Sequence, residues 1–164
     1  MADIRLAYDT SFNATITLAS LVYDGNLLQG RESAAITNSN GYLDYLISGK
    51  ITTGTGPGLG AIEVWAVGSV DGTTWPDVFD GTESAETVSS PSVKNEICKC
   101  VSAIANYNIS NYAQYFGPVS LASIFGGTLP KSFVIFVTNG SGVALNATSG
   151  NHQIRLTPVY QTVG

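Results

Sequence analysis

GAIEVWAVGSVDGTTWPDVFDG, residues 60–81, is the stretch around which the chain is organised. Its first part, residues 61–67, is dense in β-branched and aromatic side chains and reads as a strand. Asp71 and Gly72 then supply a tight-turn signal. Beyond the turn the chain becomes polar and acidic, with Trp75, Pro76 and Phe79 as apolar anchors. A strand that feeds a long loop presents that loop on a rigid support.

Working outward, the same strand grammar recurs. Residues 12–18 (FNATITL) alternate, with Phe12, Ala14, Ile16 and Leu18 on one face. Residues 31–37 read as a weaker strand of small residues, ended by the turn NSNG at 38–41. Residues 42–53 are apolar on both faces, as a central strand requires. GTGPGLG at 54–60 reads as a flexible loop. Residues 96–105 read as a strand with a short helix as the alternative, and residues 115–124 bring the chain back. SFVIFVT at 132–138 is the most apolar segment, so both of its faces should be covered. Residues 153–160 alternate again, and Pro158 places the end of that strand at an edge or a bulge. About eight strands with no convincing amphipathic helix predict an all-β, antiparallel two-sheet sandwich of jelly-roll type. Residues 12–164 form its single domain. Residues 1–11 contribute few core side chains and are expected to form an N-terminal arm that orders on a neighbour.

The chain has 164 residues, enough to bury a core without disulfides or metals. Only 12% are charged, about half the usual share. A surface of hydroxyls and amides is cheap to desolvate, which favours a chain packed by neighbours. The net charge is −5, and Asp71, Asp77, Asp80, Glu83 and Glu86 carry that whole excess, because the other seven acids balance seven Lys and Arg. With no basic patch, neither nucleic acid nor an anionic membrane surface is an expected partner. The start MADIRLAYD has early charges and no apolar run, so no secretion signal is expected. Cys98 and Cys100 lie two apart on one strand face, where a mutual disulfide would be strained; two free thiols suit a reducing cytoplasm.

No residue set amounts to a catalytic site, and neither an enzyme nor a cofactor is expected. Zinc at Cys98 and Cys100 lacks further ligands, since His152 is the only histidine. His152 has no nucleophile motif to serve. The acidic window could supply paired carboxylates for glycoside hydrolysis, or hard oxygen donors for calcium from Asp71, Asp77 and Asp80. Its loop is flexible in composition, and the spacing of a calcium loop is absent. SVDGTTW at 69–75 resembles the turn repeated in sialidase-type folds, one residue short and present once. Trp75 or Trp65 could stack on a pyranose; otherwise Trp75 caps the end of the sandwich core.

Three segments carry a broader resemblance: GRESAAITNSNGYLDYLISGK (residues 30–50), IEVWAVGSVDGTTWPD (62–77), and FGGTLPKSFVIFVTNGSGVALNATSGN (125–151) with a terminal VYQTVG. On these the chain resembles small virion structural proteins of tailed bacteriophages. The resemblance implies a capsid decoration (cement) protein, or a head-fibre or tail-associated part. Such a protein assembles in the host cytoplasm, resides in the virion and contacts the major capsid protein or other virion proteins. Decoration proteins commonly sit on three-fold capsid positions, so a homotrimer is the first expectation. The alternative from a different class is a carbohydrate-binding module on the virion surface.

Overall fold

The computed structural model describes residues 3–163. The chain runs β1 (Ile4–Tyr8), β2 (Phe12–Asn13), β3 (Gln29–Glu32), β4 (Ile36–Thr37), β5 (Asp44–Thr52), β6 (Leu59–Ser69), β7 (Ser84–Thr87), α1 (Pro91–Ile97), β8 (Cys98–Tyr107), β9 (Ala113–Ser120), α2 (Leu121–Ile124), β10 (Ser132–Asn139), a 3-10 turn at Ser149–Asn151, and β11 (Gln153–Val163). Two antiparallel sheets face each other as a β-sandwich. The front sheet has the order β1-β11-β5-β9, with β2 also on β11; the back sheet has the order β7-β3-β10-β6-β8, with β4 also on β10.

The pairing is nested. Among the eight principal strands, first pairs with last (β1·β11), second with seventh (β3·β10), third with sixth (β5·β9) and fourth with fifth (β6·β8). Successive nested pairs alternate between the sheets, and β11·β5 and β10·β6 knit them together. The inner faces meet in one core of Ile47, Ile51, Ile62, Val64, Phe133, Ile135, Val137, Ile154 and Leu156, among others. All eight residues of β10 are buried, as its apolar sequence required.

A second apolar cluster lies on the other side of the back sheet. Val67, Val134, Phe136 and Cys98 point outward from β6, β10 and β8. They are covered by Phe79, Val88, Trp75, Val78, Val93 and Ile97 from the segment between β6 and β8. The back sheet therefore carries a third layer made by the acidic segment and α1. Ser90 caps α1 by accepting the Val93 N–H, and Pro91 occupies its first turn, where no N–H is needed.

Several expectations change in detail. Residues 12–18 do not form one strand. Ala14 N–H bonds Ile154 O in the front sheet, whereas Thr15 O accepts from Ala34 beside the back sheet, so this segment crosses between layers. Residues 31–37 split into β3 and β4 where Ser33 Oγ accepts from Ile135 N–H. The segment 54–60 is not a free loop. A Cβ on Gly58 would come within 2.2 Å of Ser141 O, and one on Gly60 within 2.0 Å of Gly140 O, so these glycines permit close packing on the turn after β10. Residues 4–8, expected as part of an arm, pair with β11 along their whole length; their side chains stay mostly exposed.

Pro158 lies inside the front sheet rather than on an edge strand. Asp9 N–H donates to Pro158 O, so the proline nitrogen faces Asp9 as well, where the edge chain shifts register between β1 and β2. A missing N–H is tolerated at that irregularity.

Candidate functional site

The five carboxylates of the acidic window do not converge. Asp71 folds back on its own turn and accepts from Thr73 N (2.8 Å), Thr74 N (2.7 Å), Thr74 Oγ1 (2.7 Å) and Ser69 Oγ (3.1 Å). These bonds, those from Thr74 foremost, hold it well below the usual carboxylate range. Asp77 accepts from the Ser89 hydroxyl and from Ser89 N (2.9 Å), which lowers its pKa and ties the loop to the approach of α1. Asp80 accepts from Thr82 N, and Glu86, on β7, from Ser84 Oγ. Glu83 forms a two-pronged pair with Arg31, Nε–Oε1 2.6 Å and Nη2–Oε2 2.8 Å, and also accepts from Thr17 N. The guanidinium depresses its pKa. Each acid is a local fastener. Among the described residues, no group of three or more His, Cys, Asp or Glu is placed to hold a metal ion.

Neither tryptophan offers a bare face. Trp75 packs in the outer apolar layer, with its ring 3.0 Å from where a Cβ on Gly81 would stand. It closes this second cluster rather than the end of the main core. Trp65 donates Nε1–H to Glu63 Oε2 at 3.0 Å, and Lys94 Nζ lies 4.7 Å from its ring centroid.

Lys94 is a site residue that the sequence did not mark. It is 5% exposed and projects from α1 onto the back sheet. Its ammonium donates to Glu63 Oε2 at 2.6 Å and to Leu27 O at 2.5 Å. Glu63 Oε2 also accepts from Thr138 Oγ1 at 3.3 Å. A buried charge is tolerated only when paired and hydrogen-bonded, and here the pair fastens the covering helix to β6. Glu63 sits within the EVW of the opening stretch, but its partner lies 31 positions away, beyond the range of any local pattern.

Glu32, on β3 opposite Phe136, is a fully buried carboxyl. Its Oε1 accepts from Gly81 N–H at 2.8 Å, while Oε2 has no hydrogen-bond partner among the described residues. Burial foremost, with nearby Asp80 and Glu86, pushes its pKa up to about 7 from an ordinary 4.5. Because the folded state holds the proton more tightly, the unfolded state binds fewer protons between those two values. Stability should therefore fall as pH rises from 4.5 to 7 and level off above. The expected loss is roughly 3 kcal/mol. Urea unfolding at a series of pH values checks this, and Glu32→Gln should flatten the profile across that window. An unchanged slope in the variant would assign the pH dependence elsewhere.

Cys98 is buried and Cys100 exposed, both free and both on the outer face of β8. Burial pushes the Cys98 thiol up to about 12 and raises that of Cys100, so neither is a ready thiolate at neutral pH. His152 is half-buried, and its pKa is lowered by that burial. Nδ1 accepts from Thr52 N–H at 3.4 Å and Nε2 lies 2.8 Å from Asn146 O, so both ring nitrogens serve backbone groups. A catalytic arrangement would need one of them on a nucleophile.

A groove of about 390 Å³ lies where residues 14–15 leave the front sheet, lined by Phe12, Tyr42 and Asp9 among others. Tyr42 donates its hydroxyl to Asp9 Oδ2 at 2.5 Å and accepts from Asn40 Nδ2 at 2.9 Å, which locks the rim. No helix among the described residues is long and apolar enough to cross a membrane. Comparisons with protein-family models, with curated proteins and with solved structures gave no match.

Proposed function

We propose that this chain is a structural protein that works through protein–protein contacts, of the capsid-decoration kind that its sequence resembles. The observation that carries this reading is the asymmetry of the sandwich. The chain's own third layer covers the middle of the back sheet, leaving Leu59 and Tyr107 exposed at one end, whereas the front sheet has no such layer and leaves Ile4, Leu6, Tyr8, Tyr115 and Val163 in solvent. A sheet face left uncovered and carrying exposed apolar side chains suits a contact surface. The acidic segment suits a different role, since every carboxylate in it is bonded within the chain.

The nested strand pairing supports a jelly roll, an architecture suited to tight lateral packing in shells. In this reading the partners are the major capsid protein or other virion proteins. Binding the assembled shell, but not its loose subunits, would stabilise the shell by mass action. The virion is then the working location, with assembly in the host cytoplasm. A sugar-binding role on Trp75 or Trp65 is less well supported, because both rings are engaged in the third layer.

Co-sedimentation with emptied, expanded capsids of the phage that encodes the chain tests the proposal. Saturable binding is expected, with raised heat resistance of the shell and no specific signal on a glycan array. Absence of capsid binding, together with a glycan signal abolished by Trp75→Ala, would replace this reading with the sugar-binding one.

A further inference from the structure

Sheet edges are normally protected against pairing with other chains by proline, bulges, shortness or charge. Among the described residues, three of the four edges are protected by proline, a bulge or shortness, whereas β1 carries the charge of Arg5 and none of those three. The β9 edge contains Pro118, and its pairing with β5 is irregular between Ile47 and Gly49. The β8 edge carries Lys99 and a bulge opposite Val64 and Trp65. The β7 edge has four residues, with Glu86 among them. Strand β1 has no proline and no bulge along its pairing with β11. Its Ile4, Leu6 and Tyr8 side chains are 69%, 63% and 63% exposed.

The hydrogen-bond phase of this edge follows from one contact. Asp9 N–H donates to Pro158 O in continuation of the β1·β11 register. In an antiparallel ladder such pairs alternate, so Ala7 and Arg5 also direct their backbone groups toward β11. The N–H and C=O groups of Ile4, Leu6 and Tyr8 therefore point away from the sheet. The same three residues carry the exposed apolar side chains.

We propose that this edge pairs with the β1 edge of a second copy of the chain, antiparallel about a two-fold axis at Ala7. Three two-fold registers would engage the outward backbone groups. An axis at Arg5 sets Arg5 against Arg5, and an axis at Leu6 sets Asp3 against Asp9. An axis at Ala7 sets Arg5 against Asp9 of the second copy, Leu6 against Tyr8, and Ala7 against Ala7. Only the last opposes unlike charges and avoids like ones, and cross-strand pairs reward that choice. The contact is isologous, so each favourable pair occurs twice. Among the described residues of the single chain, Arg5 pairs with Asp3 at 3.2 Å, with both side chains about 70% exposed, so this surface pair is readily exchanged for another. The product is a dimer, in place of the trimer expected from the resemblance, and it does not depend on the virion reading.

Sedimentation equilibrium tests the pairing. The intact chain should be a dimer at micromolar concentration. Arg5→Asp should weaken dimerisation by about tenfold or more, and Asp9→Arg should do the same. Mixing these two variants should restore a heterodimer, because each then supplies the charge that the other lacks. Circular dichroism of the separate variants establishes that they are folded. An independent readout is Ala7→Cys in a Cys100→Ser background. Directly opposed, non-hydrogen-bonded residues lie about 4.5 Å apart at Cα, within disulfide range, so mild oxidation should yield a covalent dimer. Leu6→Cys in the same background should not. A monomeric or trimeric intact chain, no rescue on mixing, or equal cross-linking at both positions would overturn the proposal.

Discussion

Lys94→Met should cost about 3 kcal/mol of unfolding free energy, measured by urea denaturation at neutral pH. Methionine keeps most of the volume and removes the charge, so packing alone changes little. What remains is Glu63, partly buried and without its cation, and Leu27 O without its donor. Breaking a buried pair from one side is expensive for that reason, even where the intact pair adds little over an apolar substitute. The double variant Glu63→Gln with Lys94→Met should therefore recover part of the loss, so that the two single costs are not additive. A loss below about 1 kcal/mol for Lys94→Met would mean that α1 is held by its apolar contacts and not by this bond.

Phe136→Ala should cost about 4 kcal/mol, within the range for deleting a buried aromatic ring. Phe136 is fully buried, yet it points away from the space between the two sheets. Its ring meets Phe79 edge-on at a centroid distance of 5.1 Å. Gly30 leaves room for it, since a Cβ there would fall 2.7 Å from the ring. The substitution opens a cavity between the back sheet and the covering segment. Ile135→Val, on the opposite face of the same strand, removes one methylene from the main core and should cost about 1 kcal/mol. Net stabilities of about 5–15 kcal/mol make the larger loss a substantial fraction of the total. If Phe136→Ala cost no more than Ile135→Val, the covering segment would not be a cohesive layer.

Much of the scaffold was legible because burial on both faces leaves a mark in sequence. The runs that became β5, β6 and β10 are dense in β-branched and aromatic residues, and the alternation of β11 names its core face down to Pro158. The shared face of Cys98 and Cys100 followed from strand periodicity. The expected eight strands became eleven because β1 lies in the segment expected as an arm, residues 31–37 split into β3 and the two-residue β4, and β7 has four residues, too short for any period to register. Residues 12–18 alternate convincingly, yet their backbone partners lie in both sheets, and periodicity is blind to partner identity. Ser90-Pro91 is a helix-start signal that foretold α1 in principle, but seven residues leave too short an apolar stripe to confirm it.

The candidate site was less legible, for an electrostatic reason. Summing charges over residues 71–86 marks an acidic loop, and a solvated display is the natural inference. Summation cannot see that Asp71 and Asp77 are hydrogen-bonded by nearby hydroxyls and amides, or that Glu83 is paired with Arg31. Nor can it see Glu32 buried and Glu63 partly buried beneath that segment, because their surroundings are assembled from distant parts of the chain. Residues 75–97 thus turn out to be a lid over apolar surface, and the proposed contact surface moves to the other sheet.

Hydrogen exchange over residues 75–97 tests that reassignment most directly. Amides bonded within the layer, such as Gly81 to Glu32 Oε1, Val88 to Leu28 O and Lys94 to Ser90 O, should exchange slowly. Their protection should approach that of β3 beneath them and should fall together in Lys94→Met. Exchange at the rate of an unstructured peptide throughout residues 75–97 would contradict the account, returning this segment to the role of a displayed acidic loop.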